Sequence, residues 1–284
     1  MVADWNTNKV YLSGKLQEKF PETFKNLTEK LKTFDYKPEV LQNTFDIWAR
    51  DYMPIQVSKN KFIEYKYDPD YLQGNSEELE TRELKTYPDI VCDTIGIKTI
   101  KTDIIIDGGN VVKSDNAIIL TDKVIWENER HYSEKQLIKK LYDLFEVEKV
   151  ILIPWDEECN YGHADGMLRF INNDKVLISG FYETADDNIK KWILGSLEKA
   201  KINWDWLRVS ENETEDNIAY INFLQTKDLI IVPALNRPED EIAIKQISKH
   251  FHEYSSNNKI DKVDMREIVR FDGALNCITW TIKK

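Results

Sequence analysis

SEKQLIKKLYDLFEVEKVILI, residues 133–153, is the stretch whose reading decides the fold. Leu137, Leu141 and Leu144 recur at three- and four-residue intervals, which predicts a helix over 133–145 with one apolar face. Ser133 and Gln136 carry the spacing of a capping box at its start. The unbroken apolar run 150–153 then predicts a short buried strand. The same pairing recurs along the chain. Helical spacing appears over 14–34, 186–202 and 239–254, the last introduced by Pro238, and less regularly over 76–84. Strand-like runs follow at 44–48, 102–106, 150–153, 206–209 and 263–269, and β-rich segments lie at 117–120, 175–179 and 229–232. The helix ends fall roughly 55 residues apart, a repeat of β–β–α–β units. A unit this small cannot cover its own faces, but five in a closed ring can. The expectation is therefore an α/β fold of five pseudo-symmetric ββαβ units, forming one domain over residues 1–284.

Composition bounds the partners. Apolar residues at 42% are enough for a core, and no run of eighteen uncharged apolar residues predicts a membrane span. A formal charge of -11 lacks the basic footprint that nucleic acid requires; solubility alone explains it, and attraction of a cationic substrate is a second reading that the charge by itself does not select. The three cysteines, Cys92, Cys159 and Cys277, are odd in number and widely spaced, so they predict a reducing compartment rather than a disulfide framework. The opening ten residues carry Asp4 and no basic-then-apolar run, which adds to the expectation of a cytoplasmic protein. No cysteine pair stands at metal-ligand spacing, so neither metal nor cofactor is expected. Oligomeric state is left open, a homo-oligomer included.

Four short segments carry chemistry. Trp48-Ala49-Arg50-Asp51-Tyr52-Met53-Pro54 reads on its own as a surface turn with an Arg–Asp pair. Asp107-Gly108-Gly109-Asn110 reads as a turn in which glycine permits close approach of another chain segment. In Gly162-His163-Ala164-Asp165-Gly166, strand alternation would put His163 and Asp165 on one face, where a carboxylate biases the imidazole towards its charged form. Gly273-Ala274-Leu275-Asn276-Cys277 holds a cysteine in what reads as an apolar strand, where core filling is the ordinary role, as for Cys92 and Cys159. Asp51, Asp107 and His163 stand about 56 residues apart, and Cys277 lies about two such steps further on. In a ring of related units, equivalent positions converge on one mouth of the axis.

Together these segments resemble the agmatine deiminase and bacterial protein-arginine deiminase family. The resemblance rests on W-x-R-D-x-x-P at 48–54, an acidic residue with G-G at 107–109, G-H-x-D at 162–165 and a cysteine near the end, Cys277. Segments 2–5, 219–223 and 265–269 resemble further parts of the same family, in order. The resemblance implies the pentein fold, a five-bladed α/β propeller. It also implies hydrolysis of a small cationic guanidine, foremost agmatine to N-carbamoylputrescine and ammonia, through a thiouronium on Cys277. His163 would move protons, and Asp51 and Asp165 would clamp the guanidinium. Trp48 would flank it, with Asp107 and Asn110 lining the pocket or standing behind it. Other outcomes within this resemblance are a deiminase of peptidyl-arginine or another guanidine, an amidinotransferase, or a catalytically silent pentein that only binds. Two departures stand out. The family often has Glu at the place of Asp107, and it has a longer glycine run with a histidine before the cysteine, where this chain has Asp272-Gly273-Ala274-Leu275-Asn276.

Overall fold

The computed structural model describes residues 1–73, 82–156, 161–184, 186–209 and 218–284. Among them, fifteen strands make five three-stranded sheets. One sheet joins β3 (Ile55–Ser58), β4 (Lys61–Lys66) and β5 (Ile100–Ile105), and the next β6 (Val112–Lys113), β7 (Ala117–Thr121) and β8 (Lys149–Ile153). Then come β9 (Leu168–Asn172), β10 (Lys175–Ser179) and β11 (Asn203–Leu207), followed by β12 (Leu224–Gln225), β13 (Ile230–Ala234) and β14 (Ile260–Asp264). In each of these sheets the first two strands are antiparallel. The third runs parallel to the second after a helical crossover, as parallel pairing requires. The fifth sheet has the same pattern but draws on both chain ends. There β1 (Lys9–Ser13) pairs in parallel with β2 (Glu39–Leu41) and antiparallel with β15 (Thr279–Ile282). The last strand thus completes the first unit and closes the ring. This is the five-unit α/β propeller expected from the repeat.

The middle strands show why the sequence reads in apolar blocks. β7 and β13 are buried at every position and β10 at all but its first, so side chains of both parities meet apolar neighbours. Helices cover the outer side. In Glu134–Phe145 the buried face is Leu137, Leu141 and Phe145, one residue on from the expected Leu144, and Ser133 with Gln136 completes the capping box. Those three side chains pack in one cluster with Ile118 and Leu120 of β7.

Several boundaries differ from the sequence reading. The helix expected over 14–34 is two, Gly14–Lys19 and Pro21–Lys32, because Pro21 forces Phe20 out of helical geometry (φ -133, ψ 62). The helix over 239–254 likewise breaks at Phe251. Residues 44–48 are not a strand; the strand of that unit is β2, upstream. The expected strand over 263–269 ends at Asp264 and gives way to the helical turn Arg266–Val269. Most of the expected helix over 76–84 lies outside the described residues, and the described crossover there is Pro88–Thr94. Among the described residues no helix is long and apolar enough to cross a membrane.

Candidate active site

Each sheet is entered through a short turn that precedes its antiparallel edge strand. These are Ala49–Tyr52 before β3, Gly108–Asn110 before β6, Ala164–Gly166 before β9, Ile218–Ile221 before β12, and the turn at 275–278 before β15. Hydrogen bonds pass from each turn to the next. The Gly109 N–H donates to Asp51 Oδ1 at 3.0 Å, and His163 Nε2 meets Asp107 Oδ2 at 2.9 Å. Asn222 Nδ2 reaches the Asp165 carbonyl at 3.5 Å, and Asn222 Oδ1 accepts the N–H groups of Asn276 and Cys277 at 3.0 and 3.2 Å. The Arg50 N–H closes the circle on the Cys277 carbonyl at 3.0 Å. The spacing of about 56 residues in the sequence is the pitch of this ring.

The turns also correct two local expectations. Cys277 lies in the turn leading into β15 rather than within a strand. His163 and Asp165 lie at a 3₁₀ turn, not on a strand, so alternation does not apply and their side chains diverge. His163 points to Asp107 and to Asp51, whose Oδ1 is 3.7 Å from Nδ1. Asp165 instead takes a 2.6 Å bond from Asn276 Nδ2 and lies 3.8 Å from the Cys277 sulfur.

A cavity of about 190 Å³ opens onto this ring, with Trp48, Asp51, His163 and Cys277 in its wall. Asp46 is there too, its Oδ1 holding the Trp48 N–H at 2.9 Å. Asp107 and Asp165 are buried behind this surface. Asn110 is further back, its Oδ1 accepting the N–H and hydroxyl of Thr121 at 2.8 and 3.0 Å. Arg50 is buried away from the cavity, its Nη1 3.7 Å from Asp4 and its Nε 3.4 Å from the Asn276 carbonyl. Asp4 also pairs with Lys113 and Arg169, so a cluster of three cations and one carboxylate backs the site. Cys92 is buried in the core, as expected of it, and Cys159 lies outside the described residues.

The electrostatics follow from packing several carboxylates together out of water. Burial, with Asp165, Asp107 and Asp46 adding to it, outweighs His163 and raises Asp51 to about 8. Burial likewise raises Asp46 to about 7. Burial opposes the charged form of His163, but Asp51, Asp107 and Asp165 overcome it and raise the imidazole to about 9. The Cys277 thiol is pushed well above its ordinary value by burial first, then by Asp165 and Asp51. Without a ligand the site therefore holds a neutral thiol beside an imidazolium and carboxylates that resist ionisation.

A stability prediction follows. Asp46 and Asp51 keep protons in the folded state that the unfolded chain has released, so their folded forms lose stability as pH rises from about 4 through 8. The stability contributed by the raised His163 is full below about 6.5 and is lost as pH rises through about 9. Both trends have the same sign. The melting temperature of the ligand-free protein is expected to fall steadily from pH 6 to pH 9 in a thermal-shift series. A rise over that range would contradict the charge arrangement.

Glycine at 109 is required by proximity. A Cβ there would stand 2.5 Å from His163 Nδ1 and 2.6 Å from Asp51 Oδ1. Gly109→Ala is expected to displace both groups and to cost on the order of 100-fold in kcat/KM while the fold survives. Unchanged kinetics with unchanged circular dichroism would show that the pair tolerates displacement.

Sequence reading missed Asp46, Asn222 and Asn276 as parts of this site. Asn222 was visible only as a member of the 219–223 segment. Its place in the ring, 57 residues after Asp165 and 55 before Cys277, is the signal that the repeat carried. Asp46 gave no signal, because residues 44–48 read as strand.

A family model described as Porphyromonas-type peptidyl-arginine deiminase matches residues 14–282. A Mycoplasma capricolum subsp. capricolum protein, provisionally named an agmatine deiminase, is 25% identical over 224 residues, covering 66% of this chain and 60% of that protein. The chain thus spans about 60% of the length of the first curated relatives it matches. The solved structure of C. jejuni agmatine deiminase superposes with a TM-score of 0.76 at 19% identity, over 100% of this chain and 95% of that one. Agmatine deiminase of Enterococcus faecalis gives a TM-score of 0.75, also at 19% identity and with coverage of 100% and 95%.

Proposed function

Since this chain belongs to the Porphyromonas-type peptidyl-arginine deiminase family, we propose that it hydrolyses the C–N bond of a guanidinium substrate, agmatine first, with Cys277 as nucleophile. The observation that carries this reading is a buried thiol set 3.8 Å from one carboxylate and in the same cavity wall as another: burial first, then Asp165 and Asp51, keeps the proton on Cys277. A guanidinium seated between them neutralises that field and lets the thiolate form only when a substrate is present. The site is complementary to a planar cation, and paired carboxylates match its N–H groups. Names of the similar proteins support the choice of agmatine.

The chemistry balances without an added reactant other than water. Cys277 Sγ adds to the guanidinium carbon, and the tetrahedral adduct expels one nitrogen as ammonia with a proton from His163. The Cys277 thiouronium that remains is attacked by water, whose proton passes back to His163. Collapse releases the ureido product, N-carbamoylputrescine from agmatine, and restores the cysteine. Asp107 holds His163 through Nε2, which leaves Nδ1 for the proton transfers. Asp51, in the cavity wall, takes guanidinium N–H groups. Asp165, behind the sulfur, steers charge onto the same carbon.

Substrate choice is tested by comparing kcat/KM for agmatine, arginine and an arginine-containing peptide under one set of conditions. Among the described residues of the cavity wall there is no lysine or arginine to meet an α-carboxylate. Agmatine is expected to lead arginine by at least about tenfold, or about 1.4 kcal/mol of transition-state discrimination. Equal or better turnover of the peptide would move the assignment to peptidyl-arginine. Ammonia release with water as sole acceptor separates hydrolysis from amidino transfer, and its absence in every case would leave a binding pentein.

A further inference from the structure

The cavity changes character along its length. Its inner end holds the buried Asp51 and Cys277, each 6% exposed. Between that end and solvent the wall is carried by Trp48, Tyr71, Leu84 and Phe271. At the open end stands Asp272, an exposed residue of the same wall. Among the described residues its carboxylate has no ion pair and no hydrogen bond, although the backbone N–H is tied to the Val269 carbonyl at 3.1 Å. The backbone there is left-handed, with φ +61. An L residue pays for that conformation, asparagine and aspartate less than most, and glycine nothing. The position thus carries a carboxylate without a partner among the described residues, at a cavity mouth where glycine would be the relaxed choice.

We infer that Asp272 is the specificity-determining residue for the far end of the substrate, pairing with a cation that an aliphatic spacer separates from the reacting guanidinium. The inference rests on the guanidine-hydrolase reading above and names which guanidines it favours. An anionic base, an apolar waist and an anionic rim are complementary to a dication with a methylene chain. They repel a ligand whose far end is a carboxylate. A monocation such as n-butylguanidine fills the base and the waist but leaves Asp272 unpaired.

The test compares agmatine with n-butylguanidine on the wild-type protein, Asp272→Asn and Asp272→Gly. Asparagine tolerates the left-handed backbone, so Asp272→Asn removes charge with little change of shape. Wild type is expected to prefer agmatine by about fivefold in kcat/KM, the scale of one partly exposed ion pair. Both variants are expected to lose that preference, while turnover of n-butylguanidine reports that the fold and the inner site are intact. Asp272→Gly is also expected to melt at a higher temperature, since it relieves the strained backbone. The wild-type preference should shrink as salt is raised, because the pair is exposed. A variant ratio within twofold of wild type would overturn the inference while leaving guanidine hydrolysis standing. A wild type that turns over neither compound, nor arginine or an arginine-containing peptide, would overturn both.

Discussion

Cys277→Ser is expected to lower turnover of agmatine by on the order of 10⁴-fold or more, because the hydroxyl lacks the nucleophilicity of a thiolate. The fold should be indifferent to the change. Serine is close in size, and its hydroxyl can donate to Asn222 Oδ1 as the thiol does at 3.3 Å. Cys92→Ser is the control. That thiol is 1% exposed in the core, and burial, with Glu64 adding to it, raises it to about 12, so it is inert. Its replacement should leave kcat within about twofold and cost about 1–3 kcal/mol of stability by burying a hydroxyl. Mass mapping after treatment with a haloacetamidine should place the label on Cys277. A label on Cys92, or full activity in Cys277→Ser, would end the assignment of the nucleophile.

Asp165→Asn is expected to move two readouts in opposite directions. Removing one partner of a buried charged contact costs about 2–5 kcal/mol, so kcat/KM for agmatine should fall roughly 30- to 5,000-fold. After burial, the same carboxylate is the largest influence holding the proton on Cys277. Its neutralisation should lower the thiol's pKa in the free protein and speed alkylation by uncharged iodoacetamide at pH 8. The amide keeps an oxygen for the Asn276 Nδ2 donor, so the 275–278 turn should hold its place. A merely structural Asp165 would slow both reactions together. Slower alkylation in the variant would show that packing, not charge, silences the cysteine.

How far the chain could be read before folding differs from element to element. Leu137 and Leu141 at helical spacing, the capping box at Ser133, and the apolar blocks of β7, β10 and β13 are local properties. A helix face or a strand buried on both sides must show them in any fold. They recur with one pitch, so five ββαβ units followed from sequence alone. The close approach at Gly108 and Gly109 was visible for the same reason: only glycine allows another segment so close.

Partnerships within the site were decided by the tertiary structure. One residue separates His163 from Asp165, and strand alternation would have put them on the same face. The chain makes a 3₁₀ turn there, so one side chain goes to Asp107 and Asp51 and the other to Asn276 and Cys277. The break at Phe20 is local, written by Pro21, but that β2 lies upstream of the expected run and that Asp46 lines the cavity show only in the folded chain. The pairing of β15 with β1 brings Cys277 into the ring at all. Periodicity is a short-range signal, written by each element's own burial, and one sequence displays it. The charge state of Cys277 depends on carboxylates 112 and 226 residues away. Their distance and shielding from water exist only once five turns from five sheets have closed around one axis.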